Sequence, residues 1–317
     1  MEPDLEHPVI DTKPPCDELE RKFAPFVRHD VYGPRGRGDP PLAEKVLLGL
    51  ALVTIVPVRV VVGVSLALFY YSICRVCTLG LEPHREDDQE DYAHVGGWRR
   101  AVIVYSRRFL SRVMFFTLGF YRIRERRCGP RILKSGDGER SVAELPIVGL
   151  VSKCLGCIYV QRESKALDFR GVAGIVAKRV QEAHVNKDAP VVMLFPEGTT
   201  TNGEFLLPFK TGAFLSNAPV LPVILRYPYE RFSPAWDSIS GVRHLIFLLC
   251  QFVNHLEVTY LPLYYPSKQE QDDPKLYADN VRRLMAVMGN LMLSDSGLAE
   301  KRIYHAALNG NCMQKDD

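Results

Sequence analysis

The sequence predicts an α/β fold in which a mostly parallel sheet with flanking helices follows an N-terminal, membrane-embedded helical segment. Between residues 141 and 300, short apolar runs of strand length alternate with helix-length amphipathic segments, an order typical of parallel sheets. Residues 46–74 are apolar almost throughout and carry one charge, Arg59; about 20 such residues suffice to cross a bilayer. The 317 residues are 47% hydrophobic, which is enough for a full-sized core.

The centre of the predicted sheet is the apolar run Val191–Phe195. Its length and β-branched content are typical of a strand that is buried on both faces. Pro196, Glu197 and Gly198 end the run, because Pro cannot extend a ladder and Gly permits a tight turn. Glu197 and the three threonines after Gly198 are therefore expected at the rim of the sheet, where the carboxyl ends of strands bind ligands in open α/β folds.

Other elements follow from periodicity and from Pro and Gly positions. Asp273 is expected to cap the last helix and Pro274 to start it. A strongly apolar stretch covers residues 244–256. The remaining assignments are an apolar turn or short helix at 146–155, a strand at 158–162, a helix at 168–184, a helical turn at 210–215, and strands at 220–226 and 257–265.

The N-terminal part divides into a tail and a membrane segment. Residues 1–41 are polar and proline-rich, so we expect a disordered cytosolic tail. Residues 42–77 form the membrane segment, either as one span or as a re-entrant pair of half-length helices with residues 57–59 at the bend. A lone arginine at the bilayer centre costs about 2.5–3.5 kcal/mol on insertion scales, which the surrounding apolar residues can offset.

Residues 78–121 combine an acidic linker with a basic amphipathic helix. The net charge of +3 hides opposed blocks, because acidic residues at 82–91 precede nine arginines between Arg99 and Arg127. Arginines interleaved with aromatic residues suit a helix that lies in the interface of an anionic membrane. The same pattern also fits a helix that packs on the core and keeps a solvated basic face. Nucleic-acid binding is not expected, since no recognition motif accompanies the arginines.

The eight cysteines include two Cys-x-x-Cys pairs, Cys74/Cys77 and Cys154/Cys157. Two such pairs can in principle form a four-thiolate zinc site. The first pair ends a hydrophobic segment and the second leads into a strand, so we expect reduced, mostly buried thiols in a cytosol-facing protein and no metal. Cys74 and Cys77 lie beside the membrane segment, where palmitoylation occurs.

Three sequence blocks carry the candidate site. The segment from Gly156 to Arg162 places an arginine at a strand end, where its guanidinium suits a phosphate. The segment Phe195–Thr199 places a carboxylate and hydroxyls at the end of the next strand, and Lys210 adds a cation. The apolar strand at 218–225 is suited to wall a channel for a fatty chain. The candidate substrate-binding residues are Gly156, Arg162, Pro196, Glu197, Gly198, Thr199 and Lys210.

The order and spacing of these blocks resemble the glycerolipid acyltransferases of the 1-acylglycerol-3-phosphate acyltransferase family. Its second, third and fourth signature blocks read Gly-x-x-Phe-x-x-Arg, Phe-Pro-Glu-Gly-Thr and Val-Pro-x-x-Pro-Val. Longer matches at 194–203, 208–214 and 225–228 look like the lysophosphatidylcholine and lysophosphatidylethanolamine acyltransferases, with the plant lysophosphatidylethanolamine type closest. The resemblance extends from the hydrophobic segment near residue 46 to residue 308.

The resemblance implies transfer of an acyl group from acyl-CoA to the free hydroxyl of a lysophospholipid at a membrane face, without a metal or cofactor. Arg162 would then bind the phosphate of the acceptor, Glu197 and Gly198 would position its glycerol part, and Thr199 would complete the loop. The family and the membrane segment together imply the endoplasmic reticulum membrane, with the acyltransferase domain on the cytosolic side.

The sequence departs from this family at its first block, His-x-x-x-x-Asp, which supplies the general base and its orienting carboxylate. None of the eight histidines is followed at that spacing by Asp or Glu. The block is expected near residues 122–140, which read as an irregular junction, so the domain is predicted to be incomplete there and no catalytic residue is named. An alternative is a catalytically inactive remnant that only binds lysophospholipid or a partner. The acyltransferase domain is placed at 141–300 and a polar tail at 301–317.

Overall fold

The computed structural model describes residues 16–86, 89–92, 95–128, 138–139, 148–155, 159–160, 174, 176–181, 185 and 192–309. The helices are α1 (Cys16–Lys22), α2 (Leu42–Thr78), α3 (Gly97–Thr117), α4 (Val148–Leu155), α5 (Gly241–Cys250), α6 (Lys268–Asp272), α7 (Pro274–Gly289) and α8 (Leu298–Leu308). The strands are β1 (His84–Glu86), β2 (Gln89–Asp91), β3 (Ile123–Arg127), β4 (Gly138–Glu139), β5 (Tyr159–Val160), β6 (Phe205–Leu206), β7 (Val223–Arg226), β8 (Leu256–Tyr260) and β9 (Met292–Leu293).

The described strands form small sheets of mixed direction. In the three-stranded sheet, β8 lies between β3 and β7, pairing with β3 in parallel and with β7 antiparallel. Two further pairs, β4–β5 and β6–β9, are parallel, and β1–β2 is antiparallel. The combination of sheets and helices agrees with the predicted α/β class. A single, mostly parallel sheet stays a prediction.

Helix α2 is long and apolar enough to cross a membrane, with a mean hydropathy of 2.4 over its most apolar stretch. It runs from Leu42 to Thr78 without a break at Pro57. The structure therefore contains one continuous helix, in place of the two half-length helices that the sequence left open. Its orientation relative to a bilayer stays a prediction.

Arg59, the lone charge in the middle of α2, is buried against the end of helix α5. Its guanidinium donates hydrogen bonds to the carbonyl oxygens of Leu249 (2.7 Å), Gln251 (2.5 Å) and Phe252 (3.3 Å). The last carbonyls of a helix have no partner within the helix and carry partial negative charge. Arg59 supplies that partner, which fastens α2 to the domain.

The prediction of a disordered tail over residues 1–41 is wrong for the part that the structure describes in detail. Phe23, Phe26 and Val27 are buried in a cluster with Leu207 and Tyr304, and Tyr32 is 2% exposed. The average composition of the segment hides these few apolar anchors, which provide enough buried area to order the chain around them. Residues 1–15 lie outside the described residues.

The irregular junction predicted at 122–140 contains strand β3, so the prediction is wrong for its first residues. All five residues of β3 are exposed. Arg124 forms an ion pair with Glu257 at 3.2 Å, and the guanidinium of Arg127 lies 5.3 Å from the centre of the Tyr260 ring. Charged side chains are common on edge strands because they oppose pairing with other chains. An alternating apolar pattern predicts only strands with one buried face, so it does not reveal β3.

The basic amphipathic segment forms helix α3, as predicted. Ile103 and Leu110 are buried in a cluster with residues of α2 and α4, while Tyr105, Phe109 and Phe116 are exposed. One face of the helix therefore packs on the core. The other face presents aromatic and basic side chains to the surroundings.

Candidate functional site

The run Met193–Phe195 leads into the candidate site but is not a buried central strand. Met193 forms an isolated bridge, and the exposed fractions of Met193 and Phe195 are 50% and 64%. This prediction is wrong because an apolar run indicates burial only when neighbouring strands cover both of its faces. Val191 lies outside the described residues.

Glu197 lies in the turn that follows this run. Its Oε2 accepts a hydrogen bond from the backbone amide of Leu207 at 2.9 Å. Burial raises the pKa of Glu197, and the Leu207 amide and the charge of Arg282 oppose that rise. Arg282 is itself buried and donates to the carbonyl oxygens of Leu206 (3.0 Å) and Ser294 (2.5 Å). The carboxyl group is therefore fixed in direction.

Gly198 packs against the side chain of Lys210. Its φ is +69°, and a Cβ at this position would lie 2.7 Å from Lys210 Cε and 2.9 Å from Lys210 Nζ. The Lys210 backbone amide also donates to the carbonyl of Pro196 at 2.8 Å. The left-handed backbone favours glycine here, and a side chain at this position would also have to displace the end of Lys210. The structure thus brings together Pro196, Glu197, Gly198 and Lys210, while their role in substrate binding stays a prediction.

The loop beyond Gly198 is fastened by two segments that sequence reasoning assigned to tails. Lys301 Nζ donates to the carbonyl and the hydroxyl oxygen of Thr200, both at 2.8 Å. The Asn202 side chain donates to the carbonyls of Ala24 (2.9 Å) and Val27 (3.1 Å). The expected polar tail at 301–317 begins inside helix α8, where Tyr304 is fully buried. No periodic signal in the sequence marks either support, since each depends on one or two side chains.

A cleft of about 560 Å³ opens beside this loop. Gly198, Thr199 and Thr200 form one side of it. We call it the cationic cleft, after four basic side chains that line it: Arg35, Arg37, Arg243 and Lys301. Thr199 thus lies between the Glu197 turn and a basic cavity.

Two of the predicted site residues, Gly156 and Arg162, lie outside the described residues. Of the histidines that the structure describes, His244 and His305 both have a pKa lowered by burial. A positive charge lowers each pKa further, from Arg28 at His244 and from Lys301 at His305. That neither histidine replaces the family's His-x-x-x-x-Asp block stays a prediction.

The family model of the Acyltransferase domain matches residues 137–226. The matched range includes all three sequence blocks and the Glu197 turn. The fold and the site together therefore define an acyltransferase domain.

The chain belongs to the lysophospholipid acyltransferase family. It is 53% identical to the lysophospholipid acyltransferase LPEAT1 of Arabidopsis thaliana, over 95% of this chain and 90% of the relative. It is 30% identical to lysophosphatidylcholine acyltransferase 1 of Homo sapiens over 80% of this chain, which spans about half (50%) of that relative. It is 26% identical to human lysophosphatidylcholine acyltransferase 2 over 89% of this chain and 53% of the relative. No solved structure matches the chain.

The alignment with the Arabidopsis relative runs over 358 positions, which is more than the 317 residues of this chain. The relative therefore has residues between the aligned blocks that have no counterpart here.

Proposed function

We propose that the chain transfers an acyl group from acyl-CoA to the free hydroxyl of a lysophospholipid, either lysophosphatidylethanolamine or lysophosphatidylcholine, in phospholipid biosynthesis or remodelling. The observation that carries the proposal is the fixed turn at Pro196–Thr199. It places a glycine covered by the Lys210 side chain and a threonine in the wall of the cationic cleft. The residue before that glycine is Glu197, whose carboxyl group the Leu207 amide holds. The relatives named above support the choice of substrates.

Each site residue has a proposed role. Arg162 binds the phosphate of the acceptor through its forked guanidinium. Glu197 accepts a hydrogen bond from the glycerol part, Gly198 lets that part approach the backbone, and Thr199 completes the loop. Lys210 adds positive charge over the same turn.

The reaction takes place at a membrane face, since both substrates partition into lipid. The apolar surface of α2 and the exposed aromatic side chains of α3 support this placement. We propose the cytosolic face of the endoplasmic reticulum, on the basis of the family resemblance. No metal or cofactor is required in this scheme, so a chelator should leave the rate unchanged.

The general base is not assigned to any residue. Deprotonation of the acceptor hydroxyl needs a group within hydrogen-bond reach of it, and the His-x-x-x-x-Asp block is absent from this sequence. The longer aligned stretch of the Arabidopsis relative supports the interpretation that a segment is missing from this chain. Its position near residues 122–140 is proposed from the sequence alone.

This absence favours a second candidate function, a membrane-bound remnant that binds lysophospholipid without turnover. The two candidates differ in one measurable property, which is product formation. In the remnant, the Glu197 turn would hold the acceptor while no group removes its proton.

The test uses the purified full chain in mixed micelles with labelled acyl-CoA and a panel of lysophospholipids. Glu197→Gln keeps the acceptor oxygen for the Leu207 amide but removes the charge, and Arg302→Gln serves as a control on an exposed face of α8. The proposal expects labelled phospholipid from the unaltered chain and from Arg302→Gln, with a much smaller amount from Glu197→Gln. Lysophospholipid binding without any product would establish the remnant instead.

A further inference from the structure

In the part of the chain that the structure describes, the lining of the cationic cleft has more positive than negative side chains. Arg37 is exposed and forms no ion pair with any residue in the described part of the chain. The one carboxylate that lines the cleft, Asp237, bonds at 2.9 Å to the buried guanidinium of Arg28, which also pairs with Asp30. This network therefore leaves one negative charge against the four basic side chains. The field inside the cleft therefore favours an anion.

Two buried polar atoms of the cleft lining also have no hydrogen-bond partner among the residues that the structure describes. They are Ser238 Oγ and His305 Nε2. Buried polar atoms in native proteins are nearly always paired, so an unpaired group calls for an explanation such as an absent ligand. A ligand that carries both donors and acceptors would account for them.

The wall of the cleft presents an aromatic ring and a helix end as well. The ring of Trp236 is 56% exposed, while its Nε1 donates to the carbonyl of Ile239 at 2.7 Å and fixes the ring. Ser240, the residue that precedes α5, also lines the cleft. The positive end of the α5 dipole thus adds to the basic side chains.

The basic side chains and the exposed indole of the cleft suit acyl-CoA better than the lysophospholipid. The head groups of lysophosphatidylethanolamine and lysophosphatidylcholine carry an ammonium beside a singly charged phosphate, and four basic side chains repel that ammonium. The nucleotide part of CoA carries a diphosphate, a phosphate monoester with about two negative charges, and an adenine ring. Its charges match the basic side chains, and its base can stack on an exposed indole.

We propose that the cationic cleft binds the phosphoadenosine diphosphate part of acyl-CoA, with the phosphates against Arg35, Arg37, Arg243 and Lys301 and the adenine on Trp236. The inference rests on the proposed function, because it takes acyl-CoA as the donor. Gly198, Thr199 and Thr200, which directly follow Glu197 in the chain, line this cleft. The thioester then enters from the cleft side and the acceptor from the side of the turn.

The test measures binding of adenosine 3′,5′-bisphosphate to the full chain in detergent. The chain has two tryptophans, so a Trp98→Phe background leaves Trp236 as the sole indole reporter. We expect saturable quenching of Trp236. In that background, Arg37→Gln should weaken binding about tenfold, the loss of one charged hydrogen bond. Arg302→Gln removes the same charge from an exposed position outside the cleft and should leave the affinity unchanged.

Three results would overturn the inference: no saturable quenching, equal weakening by Arg37→Gln and Arg302→Gln, or displacement of the nucleotide by lysophosphatidylethanolamine micelles. The last result would assign the cleft to the acceptor. Nucleotide binding is measured without turnover. A chain that binds the bisphosphate and forms no phospholipid would therefore contradict the proposed function and leave the assignment of the cleft intact.

Discussion

Two regions of the molecule hold arginines in opposite ways: helix α2 buries Arg59, whereas the cationic cleft exposes Arg37. The Arg59 guanidinium donates to three carbonyl oxygens around the end of α5. Arg37 has no ion-pair partner among the described residues and faces a cavity of about 560 Å³. A buried cation whose donors are used stabilises the fold, and a cation without partners is available to a ligand. The comparison predicts that substitutions affect stability in the first region and binding in the second.

The largest effect on stability is expected from Arg28, which joins the N-terminal segment to the wall of the cleft. Its side chain is fully buried, bonds to Asp30 and Asp237, and donates to the carbonyl of Ser233 at 2.9 Å. Arg28→Met leaves two buried carboxylates without their cation, which should lower the free energy of unfolding by about 3–5 kcal/mol. Denaturant unfolding in detergent measures this loss in the free energy of unfolding, with Arg302→Met as the exposed control. Equal stability of the two variants would contradict the role of this network.

Arg59→Leu tests the other half of the comparison. The substitution makes α2 more apolar, but it leaves the carbonyls of Leu249 and Gln251 without their donor. We expect a loss of about 2–3 kcal/mol in the free energy of unfolding. Arg75→Leu, at an exposed position of the same helix, should have little effect. A more stable Arg59→Leu variant would contradict the statement that Arg59 stabilises the fold.

Lys301 both supports the fold and contributes charge to the cleft, because it bonds to Thr200 and also lines the cleft. Burial lowers its pKa from 10.5 to about 8, and the charge of Asp237 opposes that shift. The unfolded chain therefore keeps the proton to higher pH than the folded chain, and the stability that Lys301 costs at neutral pH is regained as the pH rises above about 8.

The corresponding measurement compares the unaltered chain with Lys301→Met over a range of pH. The free energy of unfolding of the unaltered chain, relative to the variant, should rise by about 2 kcal/mol from about pH 7.5 to about pH 9.5. A difference that stays constant with pH would show that the lysine is not desolvated in the fold.

The smallest effect on stability is expected from Arg37→Gln. Because Arg37 is exposed, its substitution should change the free energy of unfolding by less than about 0.5 kcal/mol. The same variant is expected to weaken nucleotide binding. Thermal unfolding checks the first half of this prediction, and a clear loss of stability would mean that Arg37 supports the fold.

The sequence predicted the parts of the site that a local pattern encodes. The turn at Pro196–Gly198 is specified by proline and glycine, and Asp273 caps α7 as expected, accepting from the amides of Lys275 and Leu276. These features depend on neighbours along the chain. They are therefore readable without knowledge of the fold.

Features that depend on distant partners were missed. Asn202 binds carbonyls in a segment that reads as a tail, and Lys301 does the same for Thr200 from the other end of the chain. Four of the five residues of strand β3 are charged, as is common at a sheet edge, so the strand has no alternating apolar pattern. In each case the stabilising contact comes from a residue far away along the chain, and a single sequence does not show which distant residues meet.

The assignment of the cleft is the claim that a single measurement tests most directly. A CoA analogue with a photoreactive azido group on its adenine is irradiated with the full chain, and the labelled peptides are identified by mass spectrometry. We expect labelling at Trp236 and nearby residues of the cleft wall, reduced in Arg37→Gln and unchanged in Arg302→Gln. Labelling confined to the aromatic face of α3, or distributed evenly over basic segments, would contradict it.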